Sequence, residues 1–494
     1  MCGIAGILGP GTHPGELDHM LSRLSHRGPD EQGKYTQDGV RLGHSRLSII
    51  DVAGGRQPLF NEDGTVCIVF NGEIYNHRAL RSYLEPLHTF KTNTDTEVIL
   101  HLYEELGEKC VVLLDGMFAF AIHDANRGTF LARDPLGIKP LYVSQQGDCL
   151  FFASEVKALQ DVVEDYQEFP AGHCFQTESG LYSYFNIPSE TRESITDERA
   201  LAEVRCLLER AVMKRLMSDV PLGVFLSGGL DSSIIAAIAA RHIPDLKTFS
   251  VGTDDGEDRA YAELCSEFLG TDHYERTYTL DDMLAALPKV IYHLESYDAA
   301  LVRSAIPNYF VSQLASEHVK VVLSGEGADE LFSGYHYLKD LDGDDLYAEL
   351  LHITNALHNT NLQRCDRMSM AHGLEARVPF LDVDLVRFAF GLPNRLKLGP
   401  DNCEKWILRH AFRDCLPDQI AFRGKLKFSK GCGSSEALAA VAEQDISDDW
   451  FARHSELADG TILRNKEELM YYRIFKELFP SDSAHKVIGH SRSL

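Results

Sequence analysis

The chain has 494 residues, 44% of them hydrophobic and 25% charged, more than one hydrophobic core usually organises, so two domains are expected. Its 48 Lys and Arg stand against 74 Asp and Glu, a formal charge of -26 that disfavours nucleic acid, and no apolar run approaches the ~20 residues of a membrane span. The 11 cysteines, an odd number without C-x-x-C pairs, fit reduced thiols better than a disulfide framework or a zinc site; with no basic, apolar signal sequence, the expected compartment is the cytoplasm.

Cys2 stands directly behind Met1, so removing one residue leaves a thiol and a free α-amine on the same residue. The amine, with a reference pKa of about 8, can accept the proton of a thiol near 8.5 at neutral pH. Taken alone, Cys2 reads as merely the second residue of an edge strand, and only the other segments of the first 100 residues overturn that. Over 1–187, short strands at 66–70, 117–122 and 150–153 alternate with Gly, Asn and Asp turns, and 96–106 has one apolar helical face, giving a layered α+β domain. Arg46, in His44-Ser45-Arg46-Leu47-Ser48-Ile49-Ile50-Asp51, has the planar fork to clamp a carboxylate; Asn71-Gly72 can converge an amide and a backbone N–H on an oxyanion; Asp95 can hold an α-ammonium. As isolated residues they would be a surface ion pair, an Asn-Gly turn and a helix N-cap.

The polar stretch 188–197 begins with Pro188 and is the expected linker. Beyond it, an amphipathic helix over 198–217 leads into strands at 223–226, 247–251 and 320–323 that alternate with helices, the pattern of a parallel sheet covered on both faces over 198–480. Residues 481–494 read as a weakly ordered tail. The histidines are unclustered along the chain, and His352 and His358 miss the i, i+4 spacing of a helical metal pair.

Ser227-Gly228-Gly229-Leu230-Asp231-Ser232-Ser233 joins a strand to a helix, so its glycines and the helix N-terminus form a phosphate cradle, though not a Walker A loop. A second acidic loop, Ser324-Gly325-Glu326-Gly327-Ala328-Asp329-Glu330, also ends a strand of the same sheet. A hard cation bridging phosphates wants carboxylate oxygens, which points to Asp231 and Asp329 for Mg2+, with Glu326 nearest the chemistry. The bland reading of these acids is helix capping.

Met1-Cys2-Gly3-Ile4-Ala5-Gly6, His26-Arg27-Gly28-Pro29-Asp30, Asn71-Gly72-Glu73-Ile74-Tyr75-Asn76 and Arg133-Asp134-Pro135-Leu136-Gly137 resemble the N-terminal-nucleophile (Ntn) glutamine amidotransferases. That resemblance implies a four-layer αββα Ntn-hydrolase fold, Cys2 as nucleophile, Asn71 and Gly72 as oxyanion hole, and Arg46, Leu47, Ser48, Ile49, Ile50, Glu73 and Asp95 around glutamine. The second half resembles the ATP-pyrophosphatase type, a doubly wound parallel sheet whose members cleave ATP between the α and β phosphates. With Gly373-Leu374-Glu375-Ala376-Arg377-Val378-Pro379-Phe380-Leu381-Asp382, nearly the whole chain resembles the glutamine-hydrolysing asparagine synthetases.

This resemblance implies an ATP site of Leu226, Ser227, Gly228, Gly229, Asp231, Ser232, Val251, Ser324 and Gly325. It implies Arg303, Arg367 and Lys425 as positive charge for phosphates or substrate, and an internal channel for ammonia. It also implies glutamine, aspartate and ATP as small-molecule substrates, no nucleic-acid or membrane partner, and a homodimer as one compatible assembly. The chain departs from the family pattern at Ala300-Leu301, where many bacterial members carry two threonines, and at Leu426-Lys427, where Glu and Gln are better known. These changes touch neighbours of the acceptor pocket and leave amidation of another carboxylate as a competing reading; against a β-lactam-forming relative stands the retained Cys2 with its glutamine site, and against a non-enzymatic homologue stand two complete loops.

Overall fold

A computed structural model describes residues 2–10, 15–37, 39–187, 194–426 and 428–492. In the first domain the strands are β1 Gly3–Leu8, β2 Glu31–Gln37, β3 Val40–Arg46, β4 Leu59–Phe60, β5 Val66–Ile74, β6 Gly116–Asp124, β7 Gly128–Arg133, β8 Tyr142–Gln146, β9 Cys149–Ala153, β10 Gln167–Glu168, β11 His173–Gln176 and β12 Gly180–Ser183. They form two six-stranded sheets, ordered β10-β8-β9-β1-β3-β2 and β12-β11-β7-β6-β5-β4. Helices α1 Gly15–Arg23, α2 His77–Leu84 and α3 Asp95–Leu106 accompany them.

Strand alternation decides the layering, because successive side chains point to opposite faces. Ile4 and Leu8 of β1 meet Cys67 and Val69 of β5 and Ala119 and Ala121 of β6 in a core between the sheets. Ala5 and Ile7 turn outward onto Leu17, Met20 and Leu21 of α1. Ile68 and Phe70, with Phe118 and Phe120, turn the other way onto Val98, Ile99 and Leu102 of α3. Helix, sheet, sheet and helix thus stack as the expected αββα sandwich.

The second domain opens with α4 Asp197–Arg215, whose N-cap Thr196 accepts from Arg199 N and whose acidic first turn and basic last turn complement the helix dipole. Strands β13 Leu222–Phe225, β14 Lys247–Gly252, β15 Asp272–Thr277, β16 Val321–Leu323 and β17 Glu375–Arg377 form a parallel sheet in the order β15-β14-β13-β16-β17. Among the helices between them, α5 Leu230–Ala240 and α6 Asp258–Leu269 pack with α4 on one face, and α7 Leu280–Leu294 and α8 Ala299–Ser316 cover the other. The chain enters at the central β13 and winds both ways, so the order reverses between β13 and β16. That switch point opens a crevice at the carboxyl ends of both strands, where the two Gly-rich acidic loops lie.

Two expectations need correction. Thr94, not Asp95, caps α3: its hydroxyl accepts from Glu97 N, and Asp95 is the first helical residue. The tail is anchored through residue 492 rather than weakly ordered, because its polar groups satisfy buried acids: Ser491 N donates to Asp298 Oδ2 at 2.9 Å and Arg492 pairs with Glu349 at 2.6 Å. Within it, Ser483–Lys486 is a helical turn. Residues 188–193 of the expected linker lie outside the described residues.

The domains share a core. Leu47, Ile49, Met117, Leu136 and Ile138 of the first cluster with Leu226 and Leu230 of the second. Fully buried Arg27 pairs with Glu155 of its own domain at 2.6 Å and reaches across the junction to Asp366 at 2.7 Å. Charge buried this deeply persists only when paired and hydrogen-bonded.

Candidate active sites

Cys2 lies just before β1 and is 8% exposed. Its N–H donates to Asn71 Oδ1 at 3.0 Å, its carbonyl accepts from Arg27 Nε at 3.0 Å, and its thiol lies 4.0 Å from Leu47 O. Burial pushes the thiol pKa up, so the nucleophile needs a base to form its thiolate. With Oδ1 occupied, Asn71 Nδ2 is buried without a partner. An orphaned donor beside a nucleophile is what an oxyanion hole requires. At Gly72 a Cβ would stand 2.1 Å from Met117 O, so only glycine lets β5 run this close to β6.

Asn71 and Glu73 share one face of β5. Glu73 Oε2 is buried without a partner, while Oε1 lies 3.4 Å from Arg377; burial raises this carboxyl, and neighbouring Glu375 raises it further. Asp95 Oδ2 accepts from Ile74 N at 2.8 Å, which fixes it next to Glu73. Arg46 Nη2 donates to Asp51 O at 2.7 Å and Nη1 to Val52 O at 3.1 Å. Gly55 touches both Arg46 and Thr94: a Cβ there would stand 2.4 Å from Arg46 Nη2 and 2.6 Å from Thr94 Cγ2. The arginine and the start of α3 are therefore neighbours. Leu47, Ser48, Ile49 and Ile50 continue from β3; Ser48 N donates to Asp30 Oδ2 at 2.8 Å, and Ile49 turns into the interdomain core.

A cavity of about 280 Å³ fills the switch-point crevice. Leu226, Ser227, Gly229, Asp231, Ser232, Val251, Arg303, Ser324, Gly325, Glu326, Asp329 and Lys425 all line it. Gly228 does not, yet it shapes the loop: its φ is +68°, and a Cβ would stand 2.5 Å from Ala262 N. Gly229 caps α5 without a side-chain bond, leaving the helix's first amides to a ligand anion. Ser227 and Ser232 hydroxyls lie 3.1 Å apart and pin the loop to the helix.

Two lysines hold the two acids. Lys405 Nζ lies 2.6 Å from Asp231 Oδ2 and 2.5 Å from Asp329 Oδ1; Lys425 Nζ lies 2.6 Å from Asp329 Oδ2. Burial works against the charge on Asp329, but Lys405 and Lys425 outweigh it and hold the carboxyl below its usual range. Asp231 Oδ1 is buried and unpartnered. A free hard oxygen opposite a second carboxylate fits Mg2+ carried in with phosphates. Glu326 pairs with Arg364, and Arg303 with Glu467 through Nε at 2.9 Å.

Arg367 is not part of this cavity. It is fully buried at the domain junction, donating to Ser154 O at 3.0 Å and pairing with Glu155 and Glu295 at 3.0 Å each. The family resemblance implied a role toward phosphates or substrate, but the Arg367 side chain engages carboxylates and a carbonyl at the domain junction. Lys405, Arg364, Arg423 and the tail residues His490, Ser491 and Arg492 line the cavity without having been picked from sequence. Of these, only Arg423-Gly424-Lys425 carried a signal, a cation beside one already chosen. Ala300, Leu301 and Leu426, where the chain departs from the family pattern, also line it. The histidines do cluster once folded: the rings of His88 and His101 stack with centroids 4.4 Å apart.

A glutamine amidotransferase domain model matches residues 1–193, and an asparagine synthase model matches 203–349 and 340–493. Asparagine synthetase [glutamine-hydrolyzing] 2 of Arabidopsis thaliana is 40% identical over 522 residues, covering 100% of this chain and 90% of the relative. The Zea mays asparagine synthetase [glutamine-hydrolyzing] is 40% identical over 524 residues, covering 100% and 89%. A probable counterpart from Dictyostelium discoideum is 37% identical over 531 residues, covering 99% and 95%. Among solved structures, a B. subtilis glutamine phosphoribosylpyrophosphate amidotransferase superposes at a TM-score of 0.33 with 22% identity, over 51% of this chain and 67% of its own, too loosely to bear on the fold. With both domains matched and identity running the full length, the chain belongs to the glutamine-hydrolysing asparagine synthetase family.

Proposed function

We propose that residues 1–187 hydrolyse glutamine, and that residues 198–480, with the tail over their cavity, use ATP and the released ammonia to convert L-aspartate to L-asparagine. Once Met1 is removed, the Cys2 α-amine takes the thiol proton and sulfur attacks the glutamine amide carbon. The oxyanion is received by Asn71 Nδ2 and Gly72 N–H, ammonia leaves with the returned proton, and water cleaves the thioester to glutamate. Arg46 serves the substrate carboxylate, and Asp95 with Glu73 serves its ammonium.

In the second domain the amides opening α5, with Lys405 and Lys425, gather charge from the phosphates. The aspartate β-carboxylate attacks the α-phosphorus and pyrophosphate leaves; ammonia then attacks the β-carbonyl and AMP leaves. Mg2+ held by Asp231 and Asp329 would neutralise phosphate charge when bound. The cytoplasm is the compartment we assign, supported by 11 free cysteines.

One observation carries this reading: the same chain holds an orphaned amide donor beside Cys2 and a lysine-braced pair of acids at the mouth of a parallel-sheet crevice. Incubation with glutamine, ATP, Mg2+ and a panel of carboxylic amino acids tests it. Asparagine, AMP and pyrophosphate are expected with aspartate alone. Amidation of a different carboxylate, at the cavity wall made by Ala300, Leu301 and Leu426, would overturn the choice of acceptor.

A further inference from the structure

Around α3, whose core holds only first-domain residues, four side chains from three segments converge. Glu62 comes from the β4–β5 hairpin, His88 from just beyond α2, and His101 and Glu104 from one face of α3. One donor atom from each lies within 4.8 Å of all the others. His88 Nδ1 lies 3.4 Å from Glu62 Oε1 and 3.7 Å from Glu104 Oε2; His101 Nδ1 lies 3.7 Å from Glu62 Oε2 and 2.7 Å from Glu104 Oε2. Zinc bonds of about 2.0–2.1 Å in a tetrahedron place ligand atoms ~3.3 Å apart, so modest contraction brings all four into range.

The surroundings are built for such a role. Both histidines turn Nδ1 toward the cluster; His88 Nε2 bonds Glu105 at 3.1 Å, whereas His101 Nε2 has no hydrogen-bond partner and faces Glu97 across 3.7 Å. Ligating histidines characteristically give their second nitrogen to a carboxylate, which fixes ring and tautomer. Glu97 is itself held by Lys91 N and Thr92 N at 2.7 Å each. The two candidate carboxylates are oriented as well: Glu104 Oε1 accepts from Asn61 Nδ2 at 2.7 Å, and Glu62 Oε1 from Thr89 N at 2.9 Å. His101 is 1% exposed and the stacked rings lie at an interplanar angle of 21°.

We propose that Glu62, His88, His101 and Glu104 form a structural divalent-metal site of the zinc class. Two imidazoles and two carboxylates select zinc over magnesium or calcium. Bound metal ties the β4–β5 hairpin and the end of α2 to α3, the helix that starts at Asp95 and so carries part of the glutamine site. Bound metal replaces the contacts between the imidazole Nδ1 atoms and the carboxylates with ligand bonds and forms no covalent product.

The test uses the full-length protein, stripped with a chelator and titrated with Zn2+, and separately with Co2+ as a spectroscopic probe. The parent is expected to bind one Zn2+ at this site, to melt at higher temperature with it, and to give a tetrahedral Co2+ spectrum without the thiolate charge-transfer band of a cysteine site. Glu62→Gln, on the exposed hairpin, and His88→Gln should each weaken binding at least tenfold and lose the thermal shift, with unchanged circular dichroism. Cys2→Ala should bind as the parent does. No Zn2+ uptake by the parent, or equal uptake by Glu62→Gln and His88→Gln, would overturn the proposal.

Discussion

The backbone N–H of Cys2 donates to Asn71 Oδ1 at 3.0 Å, which commits the carbonyl end of that amide and leaves Nδ2 buried with nothing to bond. A buried donor is costly to leave unmade and pays off when charge develops opposite it. Asn71→Ala is therefore expected to lower the glutaminase kcat by about 100–1,000-fold. Ammonia-driven synthesis should be retained, and parallel assays with glutamine and with ammonium check both halves.

Glu326 lines the nucleotide cavity, which Cys2 does not line, and pairs with Arg364. Replacing it with Ala should cut aspartate-dependent pyrophosphate release by about 100-fold or more, the span of a positioned acid–base group, while glutamine hydrolysis proceeds. Unchanged pyrophosphate release would remove Glu326 from the chemistry.

Arg367 neutralises Glu155 and Glu295 at the domain junction. Arg367→Met leaves these carboxylates short of a cation and should cost about 3–5 kcal/mol of stability, read as a lower urea midpoint, without changing the KM for ATP in the folded fraction. A raised KM at unchanged stability would restore it to the phosphate site.

The contrast between Arg367 and Lys425 marks how far the sequence could be read. Contiguous segments such as Cys2-Gly3, Asn71-Gly72-Glu73 and the two Gly-rich loops carry chemistry and local geometry together, so strand, loop and helix N-terminus were legible at once. The layered α+β character of the first domain was legible in its mix of strands and one-faced helices, but its four-layer stacking came only with the family resemblance, because Ile4 and Ala5 are buried alike on opposite faces of β1. Lys405 was not legible: it lies 174 positions from Asp231 in an irregular segment, and only the closed sheet brings them to 2.6 Å. The tail was misjudged because its polar residues bond to buried Asp298 rather than to water.

Burial raises the Glu330 carboxyl, and Asp329 beside it adds to the effect, to about 7. The unfolded chain gives up this proton near pH ~4.3, before the folded chain does, so the stability the protonated group contributes is lost as pH rises from there through about 7. Glu330→Gln removes that titration. Its melting temperature should fall less than the parent's between about pH 5 and pH 8, checked by thermal unfolding across that range.

The central claim is that nitrogen taken from glutamine at Cys2 ends in asparagine formed at the second site. Protein freed of Met1, given ATP, aspartate and glutamine carrying a heavy nitrogen isotope at its amide, should yield asparagine labelled at its own amide, with one AMP per labelled molecule. Cys2→Ala should label asparagine only when the isotope is supplied as ammonium. Unlabelled asparagine from the parent, or ADP in place of AMP, would contradict the account.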